Sequence, residues 1–156
     1  MSNKPLWAMG IVLILFAPAF AADATGAMQW SAGDFQGLAK TLAGKMDETK
    51  SGAQPILTKP THNALVFHRE GTGEAEIHER LADFLVVRSG EGVFQVGGKI
   101  GGTHNTAKDE IRGKTLEGGT RYKVTAGDVV YIPANVPHRT IVEAGKHLDV
   151  LVIKVQ

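Results

Sequence analysis

From Gln54 onward the apolar residues of this chain recur at every second position, in short runs separated by turn residues. Successive residues of an extended strand face opposite sides, so this period demands strands with one inner and one outer face. The runs cover 64–67, 74–78, 83–88 and 92–97, then 121–124, 129–132, 139–142 and 147–154. The turn Ser89-Gly90-Glu91-Gly92 divides the third from the fourth. Residues 97–119 are glycine-rich without a clear period, which suggests a long loop with a short hairpin. Many short strands joined by turns indicate an all-β antiparallel barrel or sandwich. Ahead of them, Phe35, Leu38, Leu42 and Met46 share one face of a helix expected over 31–46. Ser31 or Asp34 would cap its start.

The chain of 156 residues accommodates one domain and a leader. Lys4, the apolar stretch from Leu6 to Phe20 and the site Ala19-Phe20-Ala21 have the order of a cleavable signal peptide. The expected division is a signal peptide at 1–22, an N-terminal extension with a helix at 23–58 and a barrel domain at 59–156. Export to the periplasm or secretion follows, with no stable membrane insertion after cleavage. Without Lys4, sixteen basic residues balance sixteen acidic ones. That balance lacks the basic patch of a nucleic-acid binder. There is no cysteine, so disulfides, thiolate ligands and a cysteine nucleophile are excluded. Stability must come from an apolar core, a metal or pairing with a second copy, and a homodimer is expected. No G-x-S-x-G elbow or phosphate-binding loop pattern occurs.

Chemistry-bearing residues fall on inward faces of the expected strands. Glu76 and His78 are two apart and point together. Asp83 shares a face with Leu85 and Val87, and His138 with Thr140 and Val142. If these faces line the barrel, two imidazoles and two carboxylates converge, a donor set suited to Mn, Fe, Zn or Ni. Without a cation, the two carboxylates should repel and one should retain a proton. Tyr131 and Arg80 are candidates for holding a small organic ligand, and Arg139 is another rim cation. His62 and His68 belong to an outer sheet face, and His104 to a loop that could cover the mouth. His147 precedes the last strand.

The segments around these residues resemble the two motifs of the cupin superfamily. The first motif, G-x5-H-x-H-x(3–4)-E-x6-G, is matched in spacing by Glu76-x-His78-x4-Asp83-x6-Gly90. The second, G-x5-P-x-G-x2-H-x3-N, is matched by Gly127-x5-Pro133-x-Asn135-x2-His138. The resemblance spans roughly 60–156 and implies a cupin-like double-stranded β-helix (jelly-roll) barrel, here with a short N-terminal helical extension. It also implies a metal held by Glu76, His78, Asp83 and His138. Glu76 stands at the first histidine, Asp83 at the glutamate, and Val142 where asparagine is frequent. Asn135 replaces the turn glycine, which is reasonable because asparagine tolerates the left-handed conformation. A rival alignment sets His78 at the first histidine and Arg80 at the second. The Glu76 alignment is preferred, since an arginine at a ligand position repels a cation. Three functions fit the resemblance: a metal-dependent enzyme on a small organic molecule, a non-catalytic small-ligand barrel without metal, and an assembly role with 31–58 docking on a neighbour.

Overall fold

The computed structural model describes residues 25–156, so the leader expected at 1–22 lies outside the described residues. The chain begins with α1 (Ala32–Ala43). The Ser31 hydroxyl accepts the Asp34 N–H at 3.2 Å, and the Asp34 carboxylate accepts the Ser31 N–H at 2.7 Å. This reciprocal pair satisfies two N–H groups that have no partner within the helix. Gly44 caps the other end, three residues short of the expected helix. Leu38 and Leu42 bury against Val66, with Phe35 and Ile56 beside them. The helix therefore docks on the outside of its own barrel.

Ten strands follow: β1 (Ser51–Thr58), β2 (His62–Arg69), β3 (Ala75–His78), β4 (Ala82–Val96), β5 (Lys99–Ala107), β6 (Glu110–Glu117), β7 (Thr120–Thr125), β8 (Val129–Ile132), β9 (His138–Ile141) and β10 (Leu148–Val155). All their pairings are antiparallel. One sheet runs β1-β2-β10-β4-β8, and the other contains β7-β4-β9-β3-β6-β5. β4 belongs to both. Its first half pairs with β10 and β8, and its second half with β7 and β9. The expectation of an all-β, double-stranded β-helix barrel with one short helix holds.

Three local departures have physical causes. The 83–88 and 92–97 runs are one strand, because Ser89–Glu91 turns a barrel corner and does not reverse the chain. Gly90 sits there at φ +76, and the register against β10 slips between Asp149 and Val150. Such a bulge bends a strand while it stays paired. The 97–119 stretch forms the hairpin β5–β6, paired from Lys99 to Ala107 with a register shift between Asn105 and Ala107, its alternation hidden by glycines at 101, 102 and 113. Residues 51–58, where the pattern shows no complete strand, form β1 and pair with β2.

The core lies between the sheets. Phe94, Ile132, Leu148, Val87 and Val150 are essentially inaccessible to solvent. Each fully buried side chain of this size contributes roughly 1.5–3 kcal/mol by transfer from water, which in a chain without disulfides is the main source of stability. Asn135 adopts φ +63 at the β8–β9 turn, as asparagine there permits. Its N–H donates to the His78 carbonyl at 2.9 Å, which ties the second motif to the first. No helix among the described residues is long and apolar enough to cross a membrane.

Candidate metal centre

Cross-strand register assembles the polar cluster. Glu76 on β3 lies directly opposite His138 on β9, and on the other side β3 sets Glu76 against Arg112 and His78 against Glu110 of β6. Alternation along β3 turns Glu76 and His78 to the same side. One ligand atom each from Glu76, His78 and His138 lies within 4.8 Å of the others. Asp83, on the inner face of β4, brings Oδ2 to 3.3 Å from His78 Nε2 and 3.6 Å from His138 Nε2. His78, Asp83 and His138 are buried, at 6%, 3% and 4% exposure. A cavity of about 220 Å³ opens onto the cluster, with walls that include Leu65, Phe67, Leu85, Phe94 and Val150.

The donor set suits a borderline divalent ion, with two imidazole nitrogens and carboxylate oxygens converging in a small volume. His138 is already oriented for ligation. Its Nδ1–H donates to the Val136 carbonyl at 3.0 Å, leaving Nε2 to face Glu76 and Asp83. A hydrogen bond on the remote nitrogen of this kind fixes the tautomer of a ligating histidine.

Two cations missing from the sequence reading also enter the cluster. Lys154, near the end of β10, places Nζ 2.6 Å from His78 Nε2 and 3.0 Å from both Asp83 carboxylate oxygens. Arg112 donates to Glu76 at 2.9 Å and to Glu110 at 2.8 Å. These cations correct the expectation that one carboxyl would retain a proton. Burial pushes Glu76 upward. The hydrogen bond from His138 and the charges of His138, Arg112 and His78 outweigh it and hold the carboxyl far below its usual range. Asp83 is also lowered: burial opposes ionisation, but its contact with the His78 imidazole and the Lys154 charge prevail. His138 is raised. Burial works against its charge, and the hydrogen bond and charge of Glu76 overcome it. Lys154 had a detectable signal, because Leu148, Val150, Val152 and Lys154 alternate onto one face of the last strand. Arg112 had none, since its strand was hidden.

A pH dependence of the metal-free protein follows. Glu76 has a lowered folded pKa, so its contribution is complete above its ordinary 4.5 and is lost as pH falls toward the folded value. His138 has a raised folded pKa, so its contribution is complete below its ordinary 6.5 and is lost as pH climbs through the folded value. Thermal midpoints in chelator should be highest between pH 4.5 and 6.5. The decline above 6.5 should vanish in His138→Gln, and its persistence there would show that His138 is not its source.

The other candidates are placed elsewhere. Tyr131 does not face the cavity. It is 53% exposed on the outer face of β8, its ring 4.9 Å from that of Phe84, because alternation turns Ile132 inward in its place. Arg80 lies at the rim, 3.9 Å from Asp109, in an open depression that shares His78, Glu110 and Lys154 with the cavity. Arg139 donates to Gln95 at 2.9 Å. His68 is on the outer face of the first sheet, as expected, yet it is buried beneath α1. Its Nδ1 is 2.6 Å from Asp149, which also accepts from the Ser89 hydroxyl, and the His147 ring stacks 6.0 Å away. His62 is exposed at the start of β2. His104 is in regular β5, 3.8 Å from Glu74.

Comparison with known proteins agrees with this architecture. A family model described as "Cupin domain" matches residues 112–154, a span that contains Arg112, His138 and Lys154 and leaves the first motif outside. No curated protein matches the chain. Among solved structures, a conserved protein of Klebsiella pneumoniae with a double-stranded β-helix domain is similar with a TM-score of 0.56 at 13% identity, over 83% of this chain and 90% of that one. Pac13 of Streptomyces, a nucleoside dehydratase solved with uridine, is similar at 0.51 and 12% identity, over 70% of this chain and 72% of that one. The DMSP lyase DddQ of Ruegeria pomeroyi is similar at 0.51 and 15% identity, over 69% of this chain and 47% of that one. At such identities the likeness is one of fold. Fold, polar cluster and domain match together define a small-barrel protein with an internal polar site. Residues 112–154 match the cupin domain, and the fold is similar to that of double-stranded β-helix proteins.

Proposed function

We propose that this chain is a small exported cupin that holds a divalent transition metal at Glu76, His78 and His138, with Asp83 adjoining, and acts on a small organic molecule in the cavity. The observation that carries this reading is the convergence of three ligand atoms within 4.8 Å in the wall of a cavity that Leu65, Phe67, Leu85 and Phe94 also line. When bound, such a metal would act as a Lewis acid toward an oxygen of the ligand. The cavity is smaller than those of about 300–1,000 Å³ that hold drug-sized ligands, so the molecule is small. Its apolar walls exclude water and strengthen every charge interaction inside. Glu76, kept ionised by Arg112 and His138, can ligate a metal without first losing a proton. The enzyme-like structural neighbours support action on a small molecule.

The order of charges and apolar residues at the N-terminus supports export to the periplasm or secretion. The exposed Phe84, Tyr131 and Val129 on one outer face support pairing of two copies. Light scattering that gives the mass of a single chain would exclude the pair. A second reading, a metal-free ligand-binding barrel, is favoured by Lys154, which already supplies a cation to the cluster. Elemental analysis of protein purified without an affinity tag separates the two. Stoichiometric metal is expected. Traces alone, with none taken up on dialysis, would overturn the metal reading.

A further inference from the structure

We propose that Lys154 and a divalent ion are alternative occupants of this site, so that the lysine sets the affinity with which the barrel takes up its metal. The inference rests on the metal reading above and concerns a residue outside both motifs. His78 Nε2 has one lone pair, and the Lys154 ammonium engages it at 2.6 Å. That nitrogen cannot serve an ion at the same time. Both Asp83 oxygens are 3.0 Å from the same ammonium, so a second candidate ligand is also engaged. The remaining half, Glu76 and His138, has its nearest N–O separation at 3.5 Å, and Glu76 is paired with Arg112 as well. An ion bound by all three ligands of the cluster would need the nitrogen that Lys154 holds. It would also sit a few ångströms from a like charge in a low-dielectric pocket, where repulsion is strong.

Lys154 has a way out. It lines the open depression at the barrel mouth together with Asn63, Arg80 and Asp109. A lysine carries its charge on a flexible four-carbon stem, and the stem can lie along apolar wall while the ammonium reaches solvent. Release is thus a side-chain movement that leaves the strand in place. Arg112 cannot make the equivalent exchange without giving up Glu110 as well as Glu76, since one guanidinium serves both carboxylates. The two cations are therefore unequal: Arg112 is fixed to one ligand from outside, and Lys154 stands among the ligands.

Two measurements test this without any assay of activity. Calorimetric titration of Mn²⁺ and Ni²⁺ into chelator-treated protein compares the unaltered chain, Lys154→Met and Lys108→Met, a lysine of the same depression that touches no ligand atom. Lys154→Met should bind about ten- to a hundredfold more tightly, the range over which groups around a metal tune affinity. Lys108→Met should be unchanged. In the unaltered chain, acetylation of Lys154 by acetic anhydride, mapped by mass spectrometry, should increase when metal is added. If Lys154→Met does not fold because Asp83 is left unpaired, Asp83→Asn/Lys154→Met against Asp83→Asn gives the same comparison. Equal or weaker binding without Lys154, or labelling indifferent to metal, overturns the lysine's role and leaves the metal reading intact. No binding by any form overturns both.

Discussion

His138→Ala is expected to weaken divalent-metal binding by more than about a hundredfold, beyond the 10- to 100-fold lost when a partner around the ligands is removed. His138 supplies the only ligand atom of the cluster from β9, and Glu76 and His78 both come from β3. Without it, an ion retains donors from β3 and from Asp83 alone. The variant should stay folded, because Glu76 keeps Arg112 at 2.9 Å and Asp83 keeps Lys154 at 3.0 Å. Calorimetry shows the affinity, and a thermal midpoint shows the fold. His62→Ala, at an exposed position, is the control and should bind metal normally. A loss under about tenfold would place the ion away from this cluster. Metal binding should also weaken in acid, since the raised His138 holds a proton that a metal must displace.

Gly90→Ala is expected to destabilise the protein by at least about 3 kcal/mol. Gly90 sits at φ +76, a conformation costly for any residue with a Cβ. A Cβ there would lie 2.0 Å from the His147 carbonyl oxygen, which is backbone and cannot swing aside. That same carbonyl accepts the Glu91 N–H at 2.9 Å, so relieving the clash breaks a bond at the corner. The damage would spread, because β4 passes from one sheet to the other at this residue. Chemical unfolding measures the loss. Gly37→Ala, within α1 and with open space around its Cβ position, should be neutral or slightly stabilising. A loss under about 1 kcal/mol at Gly90 would mean that the corner tolerates rearrangement.

The alternation of residues carries more of this fold than composition does. It places Glu76 with His78, and Asp83 with Leu85, and these residues line one cavity. It also puts Ile132 inward and therefore Tyr131 outward, so the assignment of Tyr131 to a ligand ignored a signal already present in β8. The spacing of Gly127, Pro133, Asn135 and His138 marks a turn, and the turn has the left-handed Asn135 that the spacing requires. The β5–β6 hairpin was obscured because glycines at 101, 102 and 113 remove the side chains that would reveal a period. With that hairpin went Arg112.

The sequence by itself determined that the chain folds as an antiparallel barrel, which residues of each readable strand face inward, and that two histidines and two carboxylates are among them. These properties depend on a period of two within short segments, and each segment displays its own. Tertiary structure alone decided who meets whom. Lys154 reaches His78 across 76 positions and Asp83 across 71. No local pattern encodes such meetings, since they depend on the order of strands and on cross-strand register, which the whole core sets at once. The balance of charge in the site is therefore a tertiary property: two carboxylates that looked unpaired in the sequence each meet a cation from a distant strand.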